Sequence, residues 1–591
     1  MLLARTASSQ AGAVFRYIGK AAQYFECVSE SGCNCCGRRP VLPDVRLAVI
    51  VVGGVLYSVT AVVAIRPCDR PPEQSAMLVL PAMLSLGLMA TPDAPYPRSA
   101  HPTSGLHVIS SSNRSPAELL CLDSLAGLLA RQSPRIYRVA DAGWQTDAAD
   151  SYAAWLREMS MHGVSVNDSL LKSSVPVIVS EMTAAVAQVS FVLADGATRC
   201  APIKSSSMRV GLDRTCLGAS GLGAWTWTSP DSISAALTLY AAKDGLIVAA
   251  DAKLAAALAA AGVQQYADVR SQSVHDVLQQ PGVMGALSQR IYVFQDPSKS
   301  TFLGDYATFA RAATLPFGAE SEAQAALLAM RNASDSLGAA FGWGPENSYV
   351  STTNGAGVYV HASDYCSNLA ALSNAPLVPP AQKLGPTLRT PSAEGNHPPK
   401  ATPRHTVAFV MTDGDNLQWV LGPWSTDERW WASTKRGNVS VGWTLSPALA
   451  QVAPPALSLI TRSQTQSDEL LAGPSGQGYI FPQTWPEAMR APFAALTSAG
   501  MQRAGMRLVN VLGQDDDPPD SALLASLLDE SVIDGALYYP WGGGYSALEG
   551  RMWRLGEKLV VSGRVSLWGN GTSGTTRTPN RPQTHAASIV T

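Results

Sequence analysis

Hydrophobic and polar positions alternate along this chain in two rhythms, and their order predicts layered α/β structure. Leu119, Leu122, Leu125, Leu128 and Leu129 recur at helical spacing within 116–131, which puts them on one buried stripe. Short apolar runs at 106–109 and 135–139 flank that helix and read as strands. Further strands are expected at 175–180, 189–193, 246–249 and 290–294, with an alanine-rich helix at 252–261 that stops at Gly262. Residues 105–240 are therefore expected to form an N-terminal α/β domain, and 241–334 a second α/β subdomain.

From 335 to 570 the alternation becomes longer. Strands are expected at 337–343, 357–362, 406–412, 439–445, 478–481, 507–512, 535–539 and 564–568. Helical patterns at 416–433, 447–461, 486–499, 521–528 and 547–561 separate most of them. Eight β/α units in series is the pattern of a (β/α)8 barrel, regular or distorted, whose chemistry would sit at the C-terminal ends of the strands. The eight prolines of 376–403 mark an insertion in that domain, and the polar residues from 571 onward read as a disordered tail.

The 591 residues carry a net charge of −2, and only 15% are charged against 46% hydrophobic. Without a basic stripe, nucleic acid is not an expected partner. No glycine-rich loop joins a strand to a helix in the manner of a nucleotide site. The 19 residues 47–65 hold no charge and lie between Arg46 and Arg66, long enough for one membrane helix. The basic residues before it favour a cytoplasmic N-terminus and an extracellular or lumenal body. A second apolar run at 76–90 contains Pro81 and reads as a signal-peptide core, with Met77 an alternative start and cleavage before Asp93. Residues 1–104 are thus expected to be a targeting or anchoring region and linker to a secreted or membrane-anchored body. Sequons at Asn113, Asn167, Asn332, Asn438 and Asn570 are compatible with that setting. Five of the nine cysteines fall in the first 70 residues; of the rest, Cys200 and Cys216 are the natural disulfide pair, with free buried thiols the alternative.

The candidate chemistry lies at the expected strand ends. Gly476-Gln-Gly-Tyr-Ile-Phe-Pro482 sets Tyr479 and Phe481 on nearly bare backbone, a floor on which a sugar ring could rest or a tight loop with core aromatics. Asp413 and Asp415 alternate at the end of 406–412, so their side chains would share a face at about 6–7 Å. Like charges that close raise one pKa, as a general acid requires. Asp413 and Asp415 are the expected catalytic core, with Glu346 or Asp515 as the opposing carboxylate of a two-carboxyl glycosidase. Asn416, Asp364, Trp443, Tyr479, Phe481, Gln483, Tyr539, Trp541 and Trp568 are the expected substrate-binding set. Other readings remain open: the Asp413–Asn416 turn could cap a helix or hold a divalent cation, and no cofactor is otherwise expected. His361 reads as structural, and Trp430 and Trp431 as core.

These pieces resemble a known family. The run GQGYIFP is similar to the signature of the GxGYxYP family of putative glycoside hydrolases, with Phe481 in place of the second tyrosine. The VMTDGDN of 410–416, the GWTLSP of 442–447, Gly342-Trp343 with Glu346, and the Asp364–Leu369 element resemble family elements in the same order. Residues 124–137 with Trp155-Leu156 resemble the family's N-terminal domain. The resemblance spans about 105–570 and implies a sugar-processing hydrolase with a barrel-like C-terminal domain, its substrate a carbohydrate of unspecified kind. Two rivals share these residues: a carbohydrate-binding protein without hydrolysis, and a structural envelope protein.

Overall fold

The computed structural model describes residues 95–566, except 103–104, 141–150, 184–189, 195–199, 203–224, 228–231, 250, 297–298, 300, 317–319, 332–335, 377–406, 515–520 and 542–543, together with the backbone of 48–54 and 57–60. Asp515, Trp568, Cys216, the proline-rich insertion and the tail lie outside the described residues.

The chain builds layers of parallel sheet. In the first unit Leu106–Ser110 pairs in parallel with Ile136–Val139 on one side and Val166–Asn167 on the other. The helix Pro116–Ala130 starts in a capping box, in which Ser115 and Glu118 satisfy each other's backbone amides. A second sheet pairs Ser190–Ala194 with Gly245–Ala249 and Gln264–Asp268. The third has four parallel strands in the order Ala313–Pro316, Ile291–Gln295, Gly338–Gly342, Val358–Ala362.

The largest sheet runs in parallel through Val407–Met411, Val441–Leu445, Asp468–Ala472, Leu508–Gly513, Gly535–Pro540 and Lys558–Ser562. Its strands alternate between two cores, as the two-residue period requires. Phe409 and Met411 enter one core, Val410 the other; Leu470 and Leu471 divide the same way. Burial on both faces is what parallel sheets need.

Several expectations are corrected here. The described residues form no closed barrel: the first two expected barrel strands belong to the four-stranded sheet, and the later ones to the large sheet. An isolated bridge between Val360 and Tyr479 is all that remains of the strand expected at 478–481. Gly476 with a φ of +114° and the prolines on either side break that segment's ladder. Asp468–Ala472 takes its place in the sheet. The helix expected at 547–561 is a hairpin of Met552–Leu555 and Lys558–Ser562, turning at Gly556 with a φ of +58°. Val175–Thr183 is a helix, not a strand; its apolar run is too short for periodicity to tell the two apart. Ser190–Ala194 pairs with Gly245–Ala249, and Ile291–Gln295 with Gly338–Gly342.

The segment expected to be a membrane helix is also revised. Ala48–Gly54 and Tyr57–Thr60 form an antiparallel hairpin whose backbone joins the large sheet beside Val407–Met411 and Val565–Ser566. Among the described residues, no helix is long and apolar enough to cross a membrane. Valine-rich runs suit a β-strand as well as a lipid-facing helix.

Candidate active site

The C-terminal ends of the parallel strands bring three acidic side chains together. Glu346 opens the helix Glu346–Gly355, just after Gly338–Gly342. Asp413 and Asp415 follow Val407–Met411. Ligand sites of open α/β sheets fall at such strand ends.

Two glycines let the aspartates sit there. A Cβ on Gly414 would stand 1.5 Å from the Thr444 carbonyl oxygen, so only glycine lets the turn cross the neighbouring strand. A Cβ on Gly473 would meet the Asp415 Cβ at 2.5 Å. The Gly473 amide donates to the Leu445 carbonyl at 2.7 Å, and the Ser446 amide to the Gly414 carbonyl at 3.3 Å. Asp413 itself holds a φ of +70°, uncommon for a residue with a side chain and a feature that concentrates at functional sites.

The three acids perturb one another. Burial, then the nearby Glu346 carboxylate, pushes the Asp413 carboxyl up to about 7. Asp415, 8% exposed, is held well above the carboxylate range by burial and by Asp413. Glu346 is raised by burial, against the pull of a 2.6 Å hydrogen bond donated by the Tyr479 hydroxyl and the nearby Trp541 indole. Asp413 and Glu346 are only partly covered, so the cluster opens towards solvent.

Aromatic rings wall the cluster. Tyr479 stacks on Trp343 at 5.7 Å and meets Phe481 edge-on at 5.4 Å; Trp541 stands beyond Phe481 at 6.4 Å. The Tyr545 ring stacks on Tyr539 at 5.5 Å, and its phenol is raised by burial and by Asp413, Glu346 and Asp415 together. Neither Tyr545 nor Trp343 belongs to the set expected from the sequence to bind substrate. Trp343 could have been found from its place three residues before Glu346, while Tyr545 sits where a helix is expected to begin.

The other expected residues divide. Tyr479 reaches the site, and the half-buried Trp541 lines it. Phe481 and Tyr539 are fully buried and support the wall from behind, so neither offers a face to a ligand. Gln483 is exposed on the rim, where its amide donates to the Tyr538 hydroxyl at 3.2 Å and accepts the Gln514 amide at 3.1 Å. Asn416 stands at the start of Leu417–Leu421 without a side-chain cap bond.

Two assignments fail. Trp443 is buried in a tryptophan cluster, edge-on to Trp424 and Trp431, with its indole donating to Asp468 at 2.8 Å; strand alternation turns it to the core face, away from the carboxylates. Asp364 is buried against the Lys299 ammonium, which also lies over the Tyr365 ring at 4.5 Å. That ion pair engages the Asp364 Oδ2. Among the described residues no three His, Cys, Asp or Glu side chains are placed to hold a metal ion. Cys121 and Cys366 are free and buried.

With this geometry in view, comparison with known proteins identifies the class. Residues 105–178 match the first domain of the GxGYxYP family, 289–374 its third domain, and 403–589 the GxGYxYP putative glycoside hydrolase C-terminal domain. Together these cover more than half of the chain, which belongs to the GxGYxYP family. The fold is similar to that of a putative hydrolase from Bacteroides thetaiotaomicron VPI-5482, with a TM-score of 0.64 at 21% identity over 84% of this chain and 85% of that one. Comparison with curated proteins gave no match.

Proposed function

We propose that this protein hydrolyses a glycosidic bond, with Asp413 as the acid and Glu346 as the opposing carboxylate. The observation that carries the reading is the pair of unlike environments. Asp413, raised to about 7, still holds its proton in about half of the molecules at pH 7, where an ordinary carboxyl would have lost it, and can deliver it to a leaving oxygen. Glu346 accepts the Tyr479 hydroxyl, which favours its ionised form, as does its place in the first turn of a helix. Ionised, it can attack the sugar or activate water. Asp415 is the deepest of the three, and burial with the neighbouring Asp413 raises its carboxyl and favours its neutral form.

Partly exposed Trp343 and Trp541 would stack on the apolar faces of sugar rings, and the rim amides of Gln483 and Gln514 would bond their hydroxyls. A secretory setting belongs to the same proposal: the sequon residues Asn113, Asn167 and Asn438 are all exposed.

The test is a panel of oligosaccharides given to the wild type and to Asp413→Asn, scoring both binding and products. Hydrolysis that vanishes in the variant while binding persists supports the proposal. Binding by both proteins with hydrolysis by neither would replace it with a carbohydrate-binding role.

A further inference from the structure

The segment just before the first domain buries one side chain against the sheets that carry the candidate site. Tyr96 is 6% exposed, and its hydroxyl meets His361 Nε2 at 2.7 Å, the Tyr359 hydroxyl at 3.0 Å and Gln477 Nε2 at 3.3 Å. The chain that follows is tied to two elements. The Ser99 amide donates to Asn374 Oδ1 at 2.6 Å, His101 Nδ1 bonds the Asn374 carbonyl at 2.7 Å, and the Ala100 amide donates to the Gln132 carbonyl at 3.2 Å.

We infer that Tyr96 is a positioning residue for the candidate active site, holding the Gly476–Phe481 loop so that Tyr479 reaches Glu346. This rests on the glycosidase reading for its consequence in catalysis, but not for its geometry.

A phenol hydroxyl can donate one hydrogen bond and accept two. Here Tyr359 and Gln477 donate to it, which leaves its proton for His361 Nε2. That requires a neutral imidazole with its proton on Nδ1. His361 meets the requirement, since burial lowers its pKa to about 3. All three hydrogen-bonding capacities of Tyr96 are therefore used.

The route to the carboxylates is short. Gln477 lies in the loop, its amide held by Thr497 Oγ1 at 3.1 Å. A Cβ on Gly478 would come within 2.5 Å of the Tyr359 ring, so the loop lies flat on the ring that also bonds Tyr96. The next residue, Tyr479, exchanges both backbone hydrogen bonds with Val360, at 2.8 and 3.0 Å. Its hydroxyl then reaches Glu346 at 2.6 Å. Val360 stands between Tyr359 and His361, two of the three partners of Tyr96, so one hydroxyl fixes both sides of that bridge.

Tyr96 precedes all the residues matched to the family's domains, which begin at 105.

The experiment uses the full chain carrying Tyr96→Phe, which keeps the ring and removes the hydroxyl. Hydrogen exchange is followed by mass spectrometry over 473–483 and, as a control, over 106–139. Water-soluble carbodiimide labelling across a pH series gives the titration midpoint of Glu346, with Asp534 as a surface control. The expected result is exchange faster by about tenfold in 473–483 alone, with the Glu346 midpoint moved up by about 0.5 on the pH scale, or more, as the Tyr479 donor loosens. On any glycoside the wild type cleaves, kcat falls while KM holds. Exchange within about twofold of wild type in that loop, with an unmoved Glu346 midpoint, overturns the inference. A uniform rise across both regions also overturns it, because it would mark Tyr96 as a general packing residue. If the wild type cleaves no glycoside, the proposed function fails while exchange and labelling still decide the role of Tyr96.

Discussion

Replacing Asp413 by asparagine should stabilise this protein while destroying its proposed activity. The folded state holds the Asp413 proton up to about pH 7, whereas in the unfolded chain the group titrates near 3.8. Between those values the folded protein binds more protons than the unfolded one, so stability falls as pH rises through that window. A tenfold change in proton affinity is worth about 1.4 kcal/mol, which gives an upper bound of about 4 kcal/mol at neutral pH. Asp413 keeps some contact with water and shares its charge with Glu346 and Asp415, so roughly half, about 2 kcal/mol, is the working figure. Asparagine keeps the shape and never ionises. Denaturant unfolding of wild type and variant, monitored at a series of pH values, should show no gap near pH 4 and a gap in favour of Asp413→Asn that opens up to pH 7 and then levels. A gap of constant size, or a variant less stable throughout, would refute the claim that ionising Asp413 strains the fold. A destabilised catalytic group of this sort is the usual exchange of stability for activity at functional sites.

Three further outcomes follow from the same geometry. The basic limb of the activity profile should fall with a midpoint near pH 7, as the acid loses its proton; turnover against pH on a single glycoside measures it. Gly414→Ala should cost about 1–3 kcal/mol and displace Asp413 and Asp415, since its methyl group must clear the Thr444 carbonyl; thermal unfolding with parallel activity assays reads both effects. Trp443→Phe should destabilise by about 1–3 kcal/mol through lost packing and the lost bond to Asp468, yet leave the KM for glycans unchanged, which steady-state kinetics checks.

What the sequence made legible was mostly local. The leucine stripe of 116–131 and the strands ending at Met411, Leu445 and Gly513 came from periodicity, because burial on a regular element leaves its mark residue by residue. Glu346 and Asp413 were expected at strand ends and lie just beyond Gly338–Gly342 and Val407–Met411, whereas Tyr479 comes in on a segment whose expected strand is absent. What periodicity could not supply was pairing. Nothing in the residues of Gly338–Gly342 says that they join Ile291–Gln295 rather than Val407–Met411, so two sheets read as one barrel. The side to which Trp443 turns depends on the register of Val441–Leu445, and a one-residue change of face separates a sugar platform from a core tryptophan. Asp364 looks like a ligand in the sequence because its partner Lys299 lies 65 positions away. Tyr96 gives no signal at all: its importance comes from three partners that are 263, 265 and 381 positions distant.

The most direct test of the account is a crystal structure of the Asp413→Asn protein with its best-bound oligosaccharide. The account predicts a glycosidic oxygen within hydrogen-bonding reach of residue 413, the adjoining sugar carbon facing Glu346, and a ring stacked on Trp343 or Trp541. An oligosaccharide seated anywhere else, with Glu346 and residue 413 left in contact with water alone, would contradict it.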